Sequence, residues 1–367
     1  MRGLRVGKIF GIDLHIDWSW LFIFALVSWS LASMFGQIHR EWPALTQWAL
    51  AATAALLFFI SVLAHEVAHS IVARARKIPV RSITLFLFGG VSNIQKEPTS
   101  PFTEFIIAIV GPLTSFLLGG FFLILGSQNA ILNHTPVTTP YRILSELGPF
   151  STIFVWLGSV NIILGFFNLI PGFPLDGGRV LRSILWGLTN NLVKATRWAS
   201  WVGQAVAWIL IVAGVSMLLG RQILFLGTRF LNGMWMIFIG WFLQNAAAQS
   251  YRKILVHDIL EDVPVKKMMH TDVPVVPANM TAETLINNHL MGSSDQAFIV
   301  SDDEKTVGMV TIDDIHKLPP ESRQTTRVRE IMTPSKQLIG MAPEENASDA
   351  LDRFQNQNSS VTCRYWK

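Results

Sequence analysis

The sequence predicts a polytopic α-helical membrane protein of about six transmembrane helices with a re-entrant β-hairpin loop, followed by a C-terminal cytosolic α/β domain. Three observations carry this. The chain of 367 residues is 50% hydrophobic and 15% charged, but unevenly so. Residues 1–250 hold only eight of the 25 acids (Asp13, Asp17, Glu41, Glu66, Glu97, Glu104, Glu146 and Asp176), whereas residues 251–367 hold the rest and read as a soluble domain. Second, six stretches approach the roughly 20 apolar residues a bilayer helix needs: 17–35, 44–72, 103–126, 149–170, 199–219 and 229–247. Third, Lys and Arg alternate between the segments joining them. Twelve lie at the N-terminus and after spans 2 and 4, against four in the other segments (Arg40, Arg142, Arg221 and Arg229). Cytoplasmic loops carry the basic excess, so both termini are expected in the cytoplasm and the chain in the plasma membrane. The net charge of +4 averages a basic and an acidic half, and no direct nucleic-acid partner is expected from it.

The start, Met1 to Phe10, is basic and runs into apolar sequence from Ile16. No small-x-small cleavage site follows, so an uncleaved first span is expected. Residues 80–97 do not fit a span. Val80 to Phe88 is β-prone and stops at Gly89-Gly90, and Val91 to Ile94 can return as a second strand. This is the expected β-hairpin, either dipping toward the membrane or lying as an ordinary cytoplasmic hairpin. The single cysteine, Cys363, excludes an intramolecular disulfide and a zinc ribbon. The tail contains a weak repeat. Val265-Lys266-Lys267-Met268-Met269 resembles Val328-Arg329-Glu330-Ile331-Met332, and each is followed by an extended pair and a polar-capped helix. The first copy continues into strands at 297–300 and 306–311. The second stops at Lys367 before such strands would be complete.

His65-Glu66-Val67-Ala68-His69 lies at the end of the second apolar stretch. Residues four apart share a helix face, so both imidazoles can reach one tetrahedral zinc, while Glu66 can reach a nearby water without being a ligand. Charged and polar side chains at the end of an apolar helix are costly and call for a purpose such as a metal. A third ligand must come from elsewhere. Asp13 and Asp17 flank span 1, and Glu104 opens span 3. Asp176 follows span 4 in Asn168-Leu169-Ile170-Pro171-Gly172-Phe173-Pro174-Leu175-Asp176-Gly177-Gly178. Spans 2 and 4 run in the same direction, so Asp176 falls at the membrane level of the histidines. Broken backbone at that depth is tolerated where it lines a wet cavity. By the same topology His39 and His134 lie on the other side, and His15 reads as an interfacial histidine among Trp18 and Trp20, with an extra ligand or gate residue as the competing reading.

These motifs, with Gly11-Ile12, Phe88-Gly89-Gly90-Val91 and Gly111-Pro112, resemble the site-2 protease family of intramembrane zinc metalloproteases, in its prokaryotic branch with C-terminal CBS repeats. The resemblance covers most of the chain. It implies a transmembrane metalloprotease domain over 1–250 and a cytosolic CBS-type regulatory domain over 251–367, its second repeat incomplete. It implies one zinc per chain on His65, His69 and Asp176, with Glu66 as general base. Asn168 would hold the substrate strand or its oxyanion, and Phe88, Gly89 and Gly90 would belong to the re-entrant loop that meets substrate. One position departs: Ser115 stands where many relatives have asparagine, which bears on a packing or substrate contact rather than on the metal.

The implied reaction is hydrolysis of peptide bonds within or beside transmembrane helices of membrane-anchored regulators, such as an anti-sigma factor or a membrane-tethered transcription regulator. In Gly308-Met309-Val310-Thr311-Ile312-Asp313-Asp314 the CBS pattern makes Thr311 and Asp314 ligands for ATP or AMP, with pairing of CBS domains into a homodimer. The competing reading of those two residues is a helix cap with no ligand. The competing functions for the whole chain are a CBS-gated transporter and a catalytically silent scaffold of the same fold.

Overall fold

Structure begins before the first apolar helix. In the computed structural model, which describes residues 3–132, 147–221, 230–269, 273–290, 296–303, 305–357 and 361–363, strand β1 (Leu4–Ile9) folds back on β2 (Ile12–Ile16) as an antiparallel hairpin. Its turn is Phe10-Gly11, both with positive φ. In the sequence this segment stands out only as a basic flank. β2 then pairs in parallel with β3 (Val80–Phe86), and β3 pairs antiparallel with β4 (Gly89–Ile94), giving the order β1-β2-β3-β4. The expected hairpin is therefore present but is half of a larger sheet. Its turn is Leu87-Phe88 rather than Gly89-Gly90, because Gly89, at φ +122, already opens β4. The outer edge of β3 is occupied by β2, so the edge left to the 80–94 hairpin is that of β4.

The long helices follow from apolar length and from caps. Asp17 accepts the Ser19 N–H at 3.0 Å and starts α1 (Trp18–Ile38), a cap of about 1 kcal/mol. α2 (Ala44–Ala75) has 32 residues, or about 48 Å at 1.5 Å per residue, well beyond a ~30 Å hydrocarbon core. His65 lies roughly 31 Å along it from Ala44, so a helix entering the core near its start carries the motif out at the far end. α3 (Pro101–Leu132), α4 (Pro149–Asn168), α5 (Asp176–Thr189), α6 (Leu192–Leu218) and α7 (Phe230–Glu261) complete the series. Among the described residues five helices, α1, α2, α3, α4 and α6, are long and apolar enough to cross a membrane. The sixth expected stretch falls in α7, where Asn232, Gln244 and Asn245 dilute the apolar surface.

Close helix contacts are made at small residues. A Cβ on Gly158 of α4 would lie 2.7 Å from Leu123 and 2.9 Å from the Gly119 carbonyl of α3, and Gly214 and Gly233 bring α6 and α7 together in the same way. Between apolar helices, where lipid competes for every contact, such backbone approach is the main source of specificity.

The chain divides into two compact units, Met1–Ile254 and Leu255–Lys367. In the second, β5 (Val275–Pro277), β6 (Ala297–Asp302), β7 (Lys305–Thr311) and β8 (Thr333–Pro334) form one sheet. Val276, Phe298, Val300 and Val310 are buried beneath it with Leu285 of α8 (Ala282–Leu285), Ile315 of α9 (Ile312–His316) and Val328 of α10 (Val328–Ile331). The repeat seen in the sequence is a structural one. Pro264, ahead of the first copy, bridges to Asn346, ahead of the second copy's helix α11 (Ala347–Gln357). Reciprocally, Arg327, ahead of the second copy, bridges to Thr281, ahead of the first copy's helix. The second copy also goes further than expected: β10 (Val361–Cys363) lies parallel to β9 (Ile339–Met341), as β6 lies parallel to β5.

Candidate metal centre

His65 and His69 are both 4% exposed and point from one face of α2 toward Asp176, the first residue of α5. Asp176 Oδ2 is 3.0 Å from His65 Nε2 and 3.1 Å from His69 Nε2, and the two Nε2 atoms are 3.2 Å apart. This group is the metal-type cluster of His, Cys, Asp and Glu found among the described residues. Ligand bonds of 2.0–2.1 Å in a tetrahedron put neighbouring ligand atoms about 3.3 Å apart, close to the three edges of this triangle. Two imidazoles and a carboxylate are also the donor types zinc takes. The residues fit the metal that the motif implies.

The far side of each ring is fixed by α3. His69 Nδ1 donates to the Ile107 carbonyl at 2.6 Å. That bond sets the tautomer and leaves the Nε2 lone pair directed at the cluster. His65 Nδ1 lies 2.9 Å from the Ser115 hydroxyl. The departure at Ser115 therefore meets the outer ring nitrogen of His65, where the sequence pointed to a helix-packing or substrate contact. Between these two, Gly111 faces both rings, and a Cβ there would overlap His69 Nε2 and stand 2.6 Å from His65 Nε2.

Asp176 is delivered by tight backbone packing. The loop 169–175 after α4 folds against the start of α5, where Gly177 meets the Leu169 and Ile170 carbonyls and Gly178 meets Gly172 and Phe173. A side chain at either glycine would displace the loop. Farther along α5, Arg182 is 4% exposed. Its Nε donates to Glu104 Oε1 at 2.6 Å, its other end reaches Glu97 at 3.0 Å, and its guanidinium lies 5.3 Å from the Phe173 ring centroid. The helix bearing Asp176 is thus pinned to the helix that backs the histidines.

Glu66 points to the sheet. Ser92 of β4 donates to Glu66 Oε2 at 2.7 Å, and Gly90 packs on the Glu66 side chain so closely that a Cβ there would overlap Cγ. The other acids near the spans are engaged elsewhere: Asp13 pairs with Arg5 at 2.7 Å, Asp17 caps α1, and Glu104 holds Arg182. Asn168 is the half-buried last residue of α4. Gly89 follows the hairpin turn, while the Phe88 ring stacks on Phe242 of α7 at 3.8 Å. His15 sits in β2 opposite Arg5 and Thr84 and is not one of the clustered residues. His39 is buried against Trp42 and bonded to Glu41 at 3.0 Å, and His134 lies outside the described residues. In the second unit Thr311 and Asp314 satisfy each other as the cap of α9, with the Thr311 hydroxyl donating to Asp314 Oδ2 at 2.8 Å.

Sequence reasoning missed Ile107, Ser92 and Arg182. Gly111 had been noted only as part of a Gly-Pro pair. Each becomes visible when α3, α5 or β4 is laid against α2, and a carbonyl such as that of Ile107 leaves no side-chain signal at all.

The Peptidase family M50 signature matches residues 53–212, which span the histidine motif and Asp176, and the CBS domain signature matches residues 265–321. A Synechocystis sp. protein named as a zinc metalloprotease (sll0528) is 34% identical over 98% of this chain and 89% of its own length. Rip3 of Mycobacterium tuberculosis, also named as a zinc metalloprotease, is 34% identical over 96% of this chain and 85% of its own. The Zinc metalloprotease MJ0392 of Methanocaldococcus jannaschii is 30% identical over 86% and 79%. The solved Site-2 Protease from the same archaeon superposes with a TM-score of 0.45 at 28% identity, over 68% of this chain and 95% of that one. The chain belongs to peptidase family M50, the membrane zinc metalloproteases of the site-2 type.

Proposed function

We propose that this chain hydrolyses peptide bonds within or beside transmembrane helices of membrane-anchored regulatory proteins, with His65, His69 and Asp176 holding one zinc and Glu66 acting as general base. The observation that carries the reading is the triangle of two Nε2 atoms and Asp176 Oδ2, with edges of 3.0, 3.1 and 3.2 Å. Zinc, when bound, makes water nucleophilic near neutral pH and polarises the scissile carbonyl. Glu66 takes the water's proton on Oε1, the oxygen that Ser92 does not hold, and passes it to the leaving amine. The Ile107 carbonyl and the Ser115 hydroxyl keep both imidazoles turned inward while this happens.

A transmembrane helix hides its carbonyls in its own hydrogen bonds, so the substrate must unwind before it can be cut. The free edge of β4 can receive the unwound strand by main-chain pairing, beginning at Gly89 and Gly90 beside Glu66. Asn168 is the further contact for that strand or its developing oxyanion, and Phe88 anchors the hairpin's tip. The basic distribution supports cytoplasmic termini in a plasma membrane. The substrate class is an anti-sigma factor or a membrane-tethered transcription regulator. ATP or AMP at Thr311 and Asp314 would have to open the capping pair these residues now make, and pairing of CBS domains would give a homodimer.

The test is cleavage of a model membrane substrate by purified protein. Glu66→Gln is expected to insert, keep its zinc and cut nothing. Normal turnover by that variant overturns the assignment.

A further inference from the structure

We propose that Ser92 is a positioning residue that orients the Glu66 carboxylate for proton transfer, an inference that rests on Glu66 being the general base. Ser92 Oγ lies 2.7 Å from Glu66 Oε2 and 3.3 Å from the Glu66 main-chain carbonyl. Behind it, the fully buried Ser70 donates its hydroxyl to Ser92 Oγ at 3.1 Å. Ser70 is one helical turn beyond Glu66 on α2, so the chain of bonds returns to the helix that carries the base. Each hydroxyl has one proton to give. Ser70 spends its proton on Ser92, and Ser92 is thereby set to donate toward Glu66.

Gly90 supplies the second half of the device. It is two residues from Ser92 and so on the same face of β4, and it lies against the Glu66 side chain with no room for a Cβ. One face of β4 thus fixes the stem of Glu66 by contact and one carboxylate oxygen by a hydrogen bond, which leaves Oε1 as the oxygen Ser92 does not hold. A glutamate has three rotatable side-chain bonds, and a base held loosely spends little time in a reactive position. Displacement of a catalytic group by about 1 Å can cost on the order of a hundredfold in rate. Because β4 is also the free edge of the sheet, the strand open to substrate pairing is the one that orients the base.

The test compares Ser92→Thr with Ser92→Val in the full-length protein, cutting the same model membrane substrate. The two replacements have nearly the same shape and both suit a strand, so they differ in the hydroxyl alone. Ser92→Thr is expected to turn over within about threefold of wild type, and Ser92→Val about ten- to a hundredfold more slowly. The loss falls in kcat, with KM and zinc content unchanged. Equal kcat in the two variants overturns the proposal, and so does a Val defect that resides in KM or in lost zinc. Glu66→Gln in parallel separates the two assignments. If it is silent while Ser92→Val matches Ser92→Thr, only the role of Ser92 fails. If it turns over normally, the base itself is misassigned.

Discussion

Gly111 leaves the space that His69 fills: a methyl group on its α-carbon would overlap Nε2, the atom that faces Asp176. The third helix therefore shapes the candidate metal site by what it lacks. Gly111→Ala is expected to displace both rings and to lose most of its zinc during purification, while the protein still inserts. Metal analysis beside the wild type checks this. Full zinc content would show that the rings can move aside.

Ser115 acts on the other side of the site. Its hydroxyl is the outer partner of His65 at 2.9 Å, and outer hydrogen bonds of metal-bound histidines are typically worth about 10- to 100-fold in affinity. Ser115→Ala should release zinc to a chelator faster by roughly that factor, and Ser115→Asn should restore retention if the longer amide reaches the same nitrogen. Release kinetics measure both.

The Arg182–Glu104 pair makes a prediction about stability. Glu104 is fully buried, and among the described residues its Oε2 already has no hydrogen-bond partner. Arg182→Met strands that carboxylate, a change that typically costs about 3–5 kcal/mol. A markedly lower melting temperature is expected, with part of it regained in the double variant Arg182→Met/Glu104→Gln, where the buried Glu104 charge is removed as well. A double variant as unstable as the single one would mean that the guanidinium's packing, not its charge, matters.

Much of this site was legible in the sequence, and the reason is geometric. The i, i+4 spacing of His65 and His69 is enforced by the helix itself, and the direction of the spans brought Asp176 to the same level without any contact being known. The supporting groups were not legible because they depend on side-to-side contacts between elements distant in the chain: Ser115 to His65, Ile107 to His69, Ser92 to Glu66. The β1–β2 hairpin was hidden for another reason. Leu4 and Val6 alternate with polar neighbours and Phe10-Gly11 marks a turn, but the strands are short, and the second partner of β2, β3, begins at Val80. In the tail the repeat was readable, whereas the reciprocal bridges Pro264–Asn346 and Thr281–Arg327 that join its copies were not.

Asp314 yields a pH prediction. Partial burial works against its ionisation, but hydrogen bonds from the Thr311 hydroxyl and amide and from Lys317 prevail and hold its carboxyl below the usual range. A lowered folded-state pKa gives a stability contribution that is present above the unfolded value of about 3.9 and lost as pH falls through the folded one. Asp314→Ala should speed hydrogen exchange in α9 at neutral pH. The gap from wild type should close as pH falls through the lowered folded-state value, where the wild type loses its carboxylate cap as well, and a gap of constant size would contradict the capping account.

The ligand set is tested most directly by zinc stoichiometry together with X-ray absorption at the zinc edge, on wild type and Asp176→Ala. The wild type should hold one zinc per chain, with two imidazole nitrogens and a carboxylate oxygen in its nearest shell, and Asp176→Ala should lose most of it. One tightly held zinc in Asp176→Ala with an unchanged nearest shell would contradict the assignment of His65, His69 and Asp176 as the metal site.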